Sequence, residues 1–342
     1  MKSTGRTLFS ALIDFVRRRR IRLSVGAGLL GLVVLTARFA LRPPKRTALP
    51  PAVFPAIFAT RILPTRHGQL VYHESGQGEP LIFVHGIYPG ASSYEWSRVY
   101  PHFADRYHVL APDLIGFGES ARPDLVLSAD DHAELIADLL RAKSDGHRAT
   151  IVASGLGAAF VARAAERFPE LVLRVILFMP LGLDTAAQRR AYQRRRWLSL
   201  VPWLHRSLYR RYLVSRPRIE AWLTTFGFGQ GRSLDAETVQ VLLHLAQQFG
   251  AERAQLQLLR NHFRVDLQSV LAALQQPVAL LWSDSAVVPS LAEGYKLQAL
   301  PRQCTFRLLH GVGALAALED PAQLKSVLDD ELDTTLRVYQ AL

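Results

Sequence analysis

The chain has 342 residues, 49% of them hydrophobic and 20% charged, with a mean hydropathy of +0.09, which supplies a sizeable core and excludes an intrinsically disordered tail. Its single cysteine, Cys304, excludes an internal disulfide framework and any cysteine-based zinc or iron–sulfur centre, while the formal charge of +12 raises nucleic-acid binding as a class to be tested. The position of the excess decides that test. Residues 1–46 hold eleven Lys/Arg against one acid, residues 182–266 hold fourteen Arg against six acids, and the remainder is net negative. Two basic blocks on an acidic body, with no recognition motif, argue against a nucleic-acid partner.

The first block runs through Arg17, Arg18, Arg19, Arg20 and Arg22 into an uncharged stretch, Leu23 to Ala37, followed by Arg38, Phe39, Ala40 and Leu41. As a helix, Leu23–Leu41 would span roughly 28 Å at about 1.5 Å per residue, enough for a hydrocarbon core if Arg38 snorkels to the interface. Arg38 interrupts any cleavage site, and Pro43 and Pro44 follow closely, so an uncleaved transmembrane signal anchor is favoured over a cleaved signal peptide. Seven bases before the run against four after it place the basic segment 1–22 in the cytoplasm and the globular body on the opposite side. Ala27 and Gly31 are spaced as a small-xxx-small pair for helix packing, with the oligomeric state left open. Residues 42–64 carry Pro43, Pro44, Pro50, Pro51, Pro55 and Pro64, which forbid a continuous helix and read as an extended linker before a globular domain over residues 65–342.

In that domain short apolar runs alternate with longer amphipathic ones. Leu70–Tyr72, Leu81–Val84, Val109–Ala111, Thr150–Val152, Leu173–Met179 and Val278–Trp282 read as strands; Leu125–Lys143, Ala158–Phe168 and Leu291–Leu300 read as helices. Doubly buried strands alternating with helices imply an α/β fold with a mostly parallel central sheet and helices on both faces. Functional groups in such a sheet collect at the carboxyl ends of the strands.

Four strand ends carry chemistry. They are Val84-His85-Gly86-Ile87; Ala111 to Ser120, with Asp113, Gly116 and Gly118 as turn-makers; Ile151-Val152-Ala153-Ser154-Gly155-Leu156-Gly157; and Leu308-Leu309-His310-Gly311-Val312-Gly313-Ala314, running into Leu318-Glu319-Asp320-Pro321. With Tyr94-Glu95-Trp96 between the first two, these stretches resemble the α/β-hydrolase superfamily over about Thr60 to Leu336. The resemblance implies a helical cap inserted at about 182–266.

That superfamily attacks a carbonyl with a serine on a tight G-x-S-x-G elbow, passes the proton to a histidine and orients the histidine with an acid. The resemblance puts Gly155 at the nucleophile position and Ala314 at the base position. The usual acid aligns with Ser285 or Ala286, with Asp284 one place away. Losing nucleophile and base together removes roughly 10⁶ of rate by analogy with serine-protease knockouts, so hydrolase activity is not expected. The resemblance leaves an oxyanion-type pocket around His85 and Gly86, built on the backbone amides of Ile87 and Leu156.

A relocated triad of Ser154, Asp284 and His310 is the competing reading. A one-residue shift along a strand end turns the side chain to the other face, so Ser154 is expected to point away from the mouth that Gly155 occupies. Dinucleotide binding at Gly155-Leu156-Gly157 fails because the third glycine falls at Phe160 and no acid ends the next strand. No metal site and no cofactor is implied. Residues 186–218 interleave arginines with Trp197, Trp203 and leucines, a composition that fits both contact with anionic lipid and the solvated outer face of a cap. The expectation is therefore a membrane-anchored pseudoenzyme that binds a small apolar or acyl-bearing ligand or a partner protein. An active esterase- or lipase-like serine hydrolase and a structural membrane-surface module are the alternatives.

Overall fold

The structure, a computed structural model, describes residues 58–182, 205–206, 208–229, 231, 233–300 and 304–340. The expected anchor at 23–41, the basic segment before it and most of the arginine-rich stretch 186–218 lie outside the described residues. Among the described residues no helix is long and apolar enough to cross a membrane.

Eight strands form one sheet: β1 (Ala59–Thr65), β2 (Gly68–Ser75), β3 (Pro80–Val84), β4 (His108–Pro112), β5 (Ala149–Ser154), β6 (Val172–Phe178), β7 (Val278–Ser283) and β8 (Cys304–Leu309). Their spatial order is β1-β2-β4-β3-β5-β6-β7-β8, with β2 antiparallel to β1 and β4 and every pairing from β4 onward parallel. Burial follows position in the sheet. Every residue of β3, β5 and β7 is buried, as continuous apolar runs demand when both faces are covered. The edge strand β8 alternates between half-buried and exposed positions over most of its length.

The expected linker ends sooner than residue 64. Ala59–Thr65 is hydrogen-bonded strand, with Pro64 opposite Gln69, and an edge position tolerates a proline because its outer side needs no ladder donor. The helix expected from Leu125 starts at Ala129. There Ser128 accepts the Asp131 amide while Asp131 accepts the Ser128 amide, a capping box that sets the start four residues late. Conversely, the helix expected from Ala158 begins at Gly155, directly after β5.

The insertion after β6 is helical where described. It contains a π-helical turn at Tyr209–Leu213, a helix at Arg216–Trp222, a second π-helical turn at Leu223–Gly227, and helices at Ala236–Ala246 and Ala251–Leu259. Ile219, Leu223, Phe228, Val239 and Leu242 of this cap pack with Tyr94, Leu315 and Leu318 of the body into a second apolar cluster.

Two of the buried polar groups of the body bear on its stability. Glu331 of the Pro321–Gln340 helix accepts from Arg174 on β6, from Arg307 Nε at 2.8 Å and from Thr305 Oγ1 at 3.1 Å on β8, pinning the C-terminal helix to two strands. Replacing Glu331 by Ala is expected to cost about 3–5 kcal/mol in denaturant unfolding, because Arg174 is left buried beside an apolar group. His132 is stacked on Phe160 with ring centroids 4.7 Å apart and edge-on to Phe263, and burial pushes it down to about 3. Because this imidazole stays neutral in the fold while the unfolded chain takes up a proton near pH 6.5, its stabilising contribution is lost as pH falls from there toward 3. His132→Phe is expected to flatten the acid limb of the stability profile over that window, measured by urea unfolding at stepped pH.

Candidate functional site

The elbow follows from strand register. β5 lies between β3 and β6, so its last residue, Ser154, brings Gly155 to the carboxyl edge beside the His85–Gly86 turn that ends β3. Gly155 has φ +53°, the left-handed turn of a strand entering a helix, which costs a residue with a Cβ about 1–2 kcal/mol. A Cβ built there meets only Gly86 Cα at 3.7 Å and Leu181 Cδ1 at 3.9 Å, ordinary contacts, so the elbow has space for a side chain that the sequence does not supply. Two residues on, the constraint is absolute: a Cβ at Gly157 would lie 2.1 Å from the His85 carbonyl oxygen.

His85 holds the turn and does no visible chemistry. The Leu114 amide donates to its Nε2 at 3.0 Å, so Nδ1 carries the proton and donates to the Gly86 carbonyl at 2.6 Å; burial lowers its pKa. Asp113 orients backbone, accepting the amides of Ser93 and Glu119, each at 2.7 Å. The amides of Ile87 and Leu156 have no acceptor among the described residues.

Ser154 does not join a triad. Its hydroxyl donates to Glu95, and it makes no hydrogen bond to His310. Asp284 and His310 do meet: Nδ1 of His310 lies 2.7 Å from Oδ2 of Asp284, whose Oδ1 accepts the Gly311 amide at 3.0 Å and the Ser285 hydroxyl at 2.9 Å. Those donors, the Gly311 amide first, hold the Asp284 carboxyl down to about 2. The pair is a surface feature, with the His310 side chain 74% exposed. Of the relocated set, then, the acid and the imidazole stand together and the serine stands apart with another partner.

Ala314 sits in a seam between body and cap. Its amide donates to the Phe226 carbonyl at 3.0 Å and the Leu315 amide to the Gly227 carbonyl at 2.8 Å, while Glu319 accepts the amides of Gly313 and Gly229. The backbones touch so closely that a Cβ at Gly313 would lie 2.3 Å from the Gly227 oxygen. A void lined by Tyr88, Gly118, Arg122 and Tyr209 measures about 10 Å³, room for one water. Among the described residues no three His, Cys, Asp or Glu side chains cluster as metal ligands. The half-buried thiol of Cys304 is pushed up to about 11 by burial, so it is no thiolate nucleophile.

Glu95 is the polar residue that sequence reasoning passed over. Fully enclosed, it accepts the Gly86 amide at 2.9 Å and the Tyr88 hydroxyl at 3.0 Å on one oxygen and the Ser154 hydroxyl on the other. Tyr88 in turn stacks on Trp222 of the cap at 5.0 Å, so this carboxyl ties the turn, the elbow strand and the cap together. The only signal was an acid inside the aromatic pair Tyr94 and Trp96.

Burial raises Glu95 from its ordinary 4.5 to about 7 against the pull of those three donors. The unfolded chain therefore ionises first, and stability falls as pH rises from about 4.5 to 7. Glu95→Gln, which can keep all three hydrogen bonds, is expected to abolish that fall. Glu95→Ala strands three buried donors and is expected to cost about 1–3 kcal/mol at pH 4.5 and below, a cost that shrinks as the wild-type chain loses stability toward pH 7, both read from urea unfolding.

With this geometry in hand, the sequence profile of the α/β hydrolase fold family matches residues 79–321. A 2-hydroxy-6-oxo-6-(2'-aminophenyl)hexa-2,4-dienoic acid hydrolase of Metapseudomonas resinovorans is 34% identical over 113 residues, 33% of this chain and 39% of the relative. A 2-hydroxymuconate semialdehyde hydrolase of Pseudomonas sp. (strain CF600) is 36% identical over 117 residues, 33% of this chain and 40% of that protein. The matched segment thus spans about two fifths of the length of these relatives. Among solved structures, a membrane phospholipase A superposes with a TM-score of 0.68 at 22% identity, covering 97% of this chain and 99% of the other. Cfl2 from Burkholderia cenocepacia gives 0.67 at 24% identity, covering 84% and 99%. A profile match across this share of the sequence shows kinship as well as shape, and the chain belongs to the α/β hydrolase fold family.

Proposed function

We propose that this member of the family is a membrane-tethered binding protein that holds a small apolar or acyl-bearing ligand, or a partner protein, without serine-based turnover. The observation that carries the reading is the elbow: its strained φ of +53° falls on a glycine, and a Cβ there would meet no obstacle. Strand, turn and helix are kept while the attacking hydroxyl is missing. Ala314 at the base position supports the same reading, since general-base chemistry there has no ring to perform it. What remains are the free amides of Ile87 and Leu156 at the start of a helix, donors suited to a ligand carbonyl or carboxylate oxygen. The tether is the apolar run Leu23–Leu41, with the basic segment 1–22 on the cytoplasmic side and the body across the membrane.

The Asp284–His310 contact favours a second reading, an active hydrolase with a relocated set, which requires Ser154 to exchange Glu95 for His310.

A fluorophosphonate serine probe separates the two. The intact chain is expected to show no stoichiometric labelling, and labelling that vanishes in Ser154→Ala would overturn the binding reading. Mass spectrometry of the chain purified from membranes is expected to find a co-purifying acyl compound, reduced about tenfold or more in Gly155→Leu, which fills the elbow. Equal recovery from both proteins would sink the elbow as the binding place.

A further inference from the structure

Near the cap, four large apolar side chains face solvent on segments that are linked to one another. Leu125 is 53% exposed, Val126 56%, Leu213 46% and Phe249 70%. Hydrogen bonds show that these belong to one neighbourhood. Gln257 donates to the Leu125 carbonyl at 2.7 Å, Arg253 donates to the Arg122 carbonyl and lies 3.6 Å from Asp124, and Gln247 donates to the Val214 carbonyl at 3.1 Å. The 122–126 loop, the 209–214 turn and the 247–257 stretch therefore share one surface.

Arginines frame it. The guanidinium groups of Arg210 and Arg253 lie 5.9 and 5.6 Å from the centroid of the Phe249 ring, and Arg206 and Arg210 share the single buried carboxylate of Glu252. Glu252 and Asp124 together face Arg206, Arg210 and Arg253, two acids for three arginines, which leaves the rim positive, within a chain segment whose arginines outnumber its acids by fourteen to six. Scattered single apolar residues on a surface call for no explanation, but a cluster with guanidinium groups laid against its most exposed ring does. Aliphatic and aromatic tips ringed by arginine match the interface of an anionic bilayer, where rings sit at headgroup level and guanidinium groups meet phosphate.

We infer that the surface carrying Leu125, Val126, Leu213 and Phe249 docks on an anionic lipid bilayer, with Phe249 and Val126 entering the headgroup region. This face deepens the membrane part of the proposed function and does not depend on what the elbow binds.

The test uses the full chain with Cys304→Ser and one new cysteine, Val126→Cys, Phe249→Cys or His147→Cys, each labelled with the environment-sensitive fluorophore NBD. His147 is exposed and precedes β5, at the opposite end of the parallel strands from the 122–126 loop, which follows β4. With vesicles of phosphatidylcholine and phosphatidylglycerol, labels at 126 and 249 are expected to shift to the blue and the label at 147 to stay unchanged. Pure phosphatidylcholine and high salt are expected to abolish the shift. No shift at 126 and 249, or an equal shift at 147, overturns the proposal. So does a shift that appears without lipid and grows with protein concentration, which marks a second copy as the occupant. Alkaline carbonate extraction of the same vesicles reports the Leu23–Leu41 tether separately, so failure of the face and failure of the anchor are told apart.

Discussion

At the carboxyl edge of the sheet, two backbones approach until side chains no longer fit between them. The helix leaving β5 lies so near the turn leaving β3 that the hydrogen of Gly157 fills the gap before the His85 oxygen. This closeness sets the start of the helix against the turn that ends β3. The glycine at 157 is demanded by the packing of two main chains, whereas a side chain at 155 is demanded only by chemistry. Packing therefore fixes position 157 and leaves position 155 open.

Beneath that contact lies a carboxyl group that does what no apolar residue could. The Gly86 amide, the Tyr88 hydroxyl and the Ser154 hydroxyl all point inward, and an unpaired donor in such a place is expensive. Glu95 satisfies three at once, at the cost of holding a titratable group away from water. The same group reaches the cap through the Tyr88–Trp222 stack, so the donor pair, the elbow strand and the cap share one support.

Much of this could be read from residue order alone, for reasons that differ by element. β3, β5 and β7 announce themselves as uninterrupted apolar runs because both their faces are covered. β1 was hidden by Pro64, which reads as linker until its edge position is known. The strand-to-helix turn at Gly155 was legible because the glycines around it mark a tight elbow after an apolar run. Asp284 and His310 were legible as residues, and their meeting depends only on β7 and β8 being neighbours. Glu95 was not legible as a site residue: its partners lie 7, 9 and 59 positions away and converge only when β3 pairs with β5.

The seam between Gly227–Gly229 and Gly311–Ala314 bears on how cap and body are joined. Two stretches of main chain far apart in sequence have become mutually dependent there, each tolerating little beyond hydrogen at its closest points. Any side chain at position 314 is carried on a backbone whose amide is committed to the Phe226 carbonyl, so the cap shares in setting where it stands. Cap and body are thus stitched together by main chain at their closest points, and any sliding of one against the other there has to break backbone hydrogen bonds first.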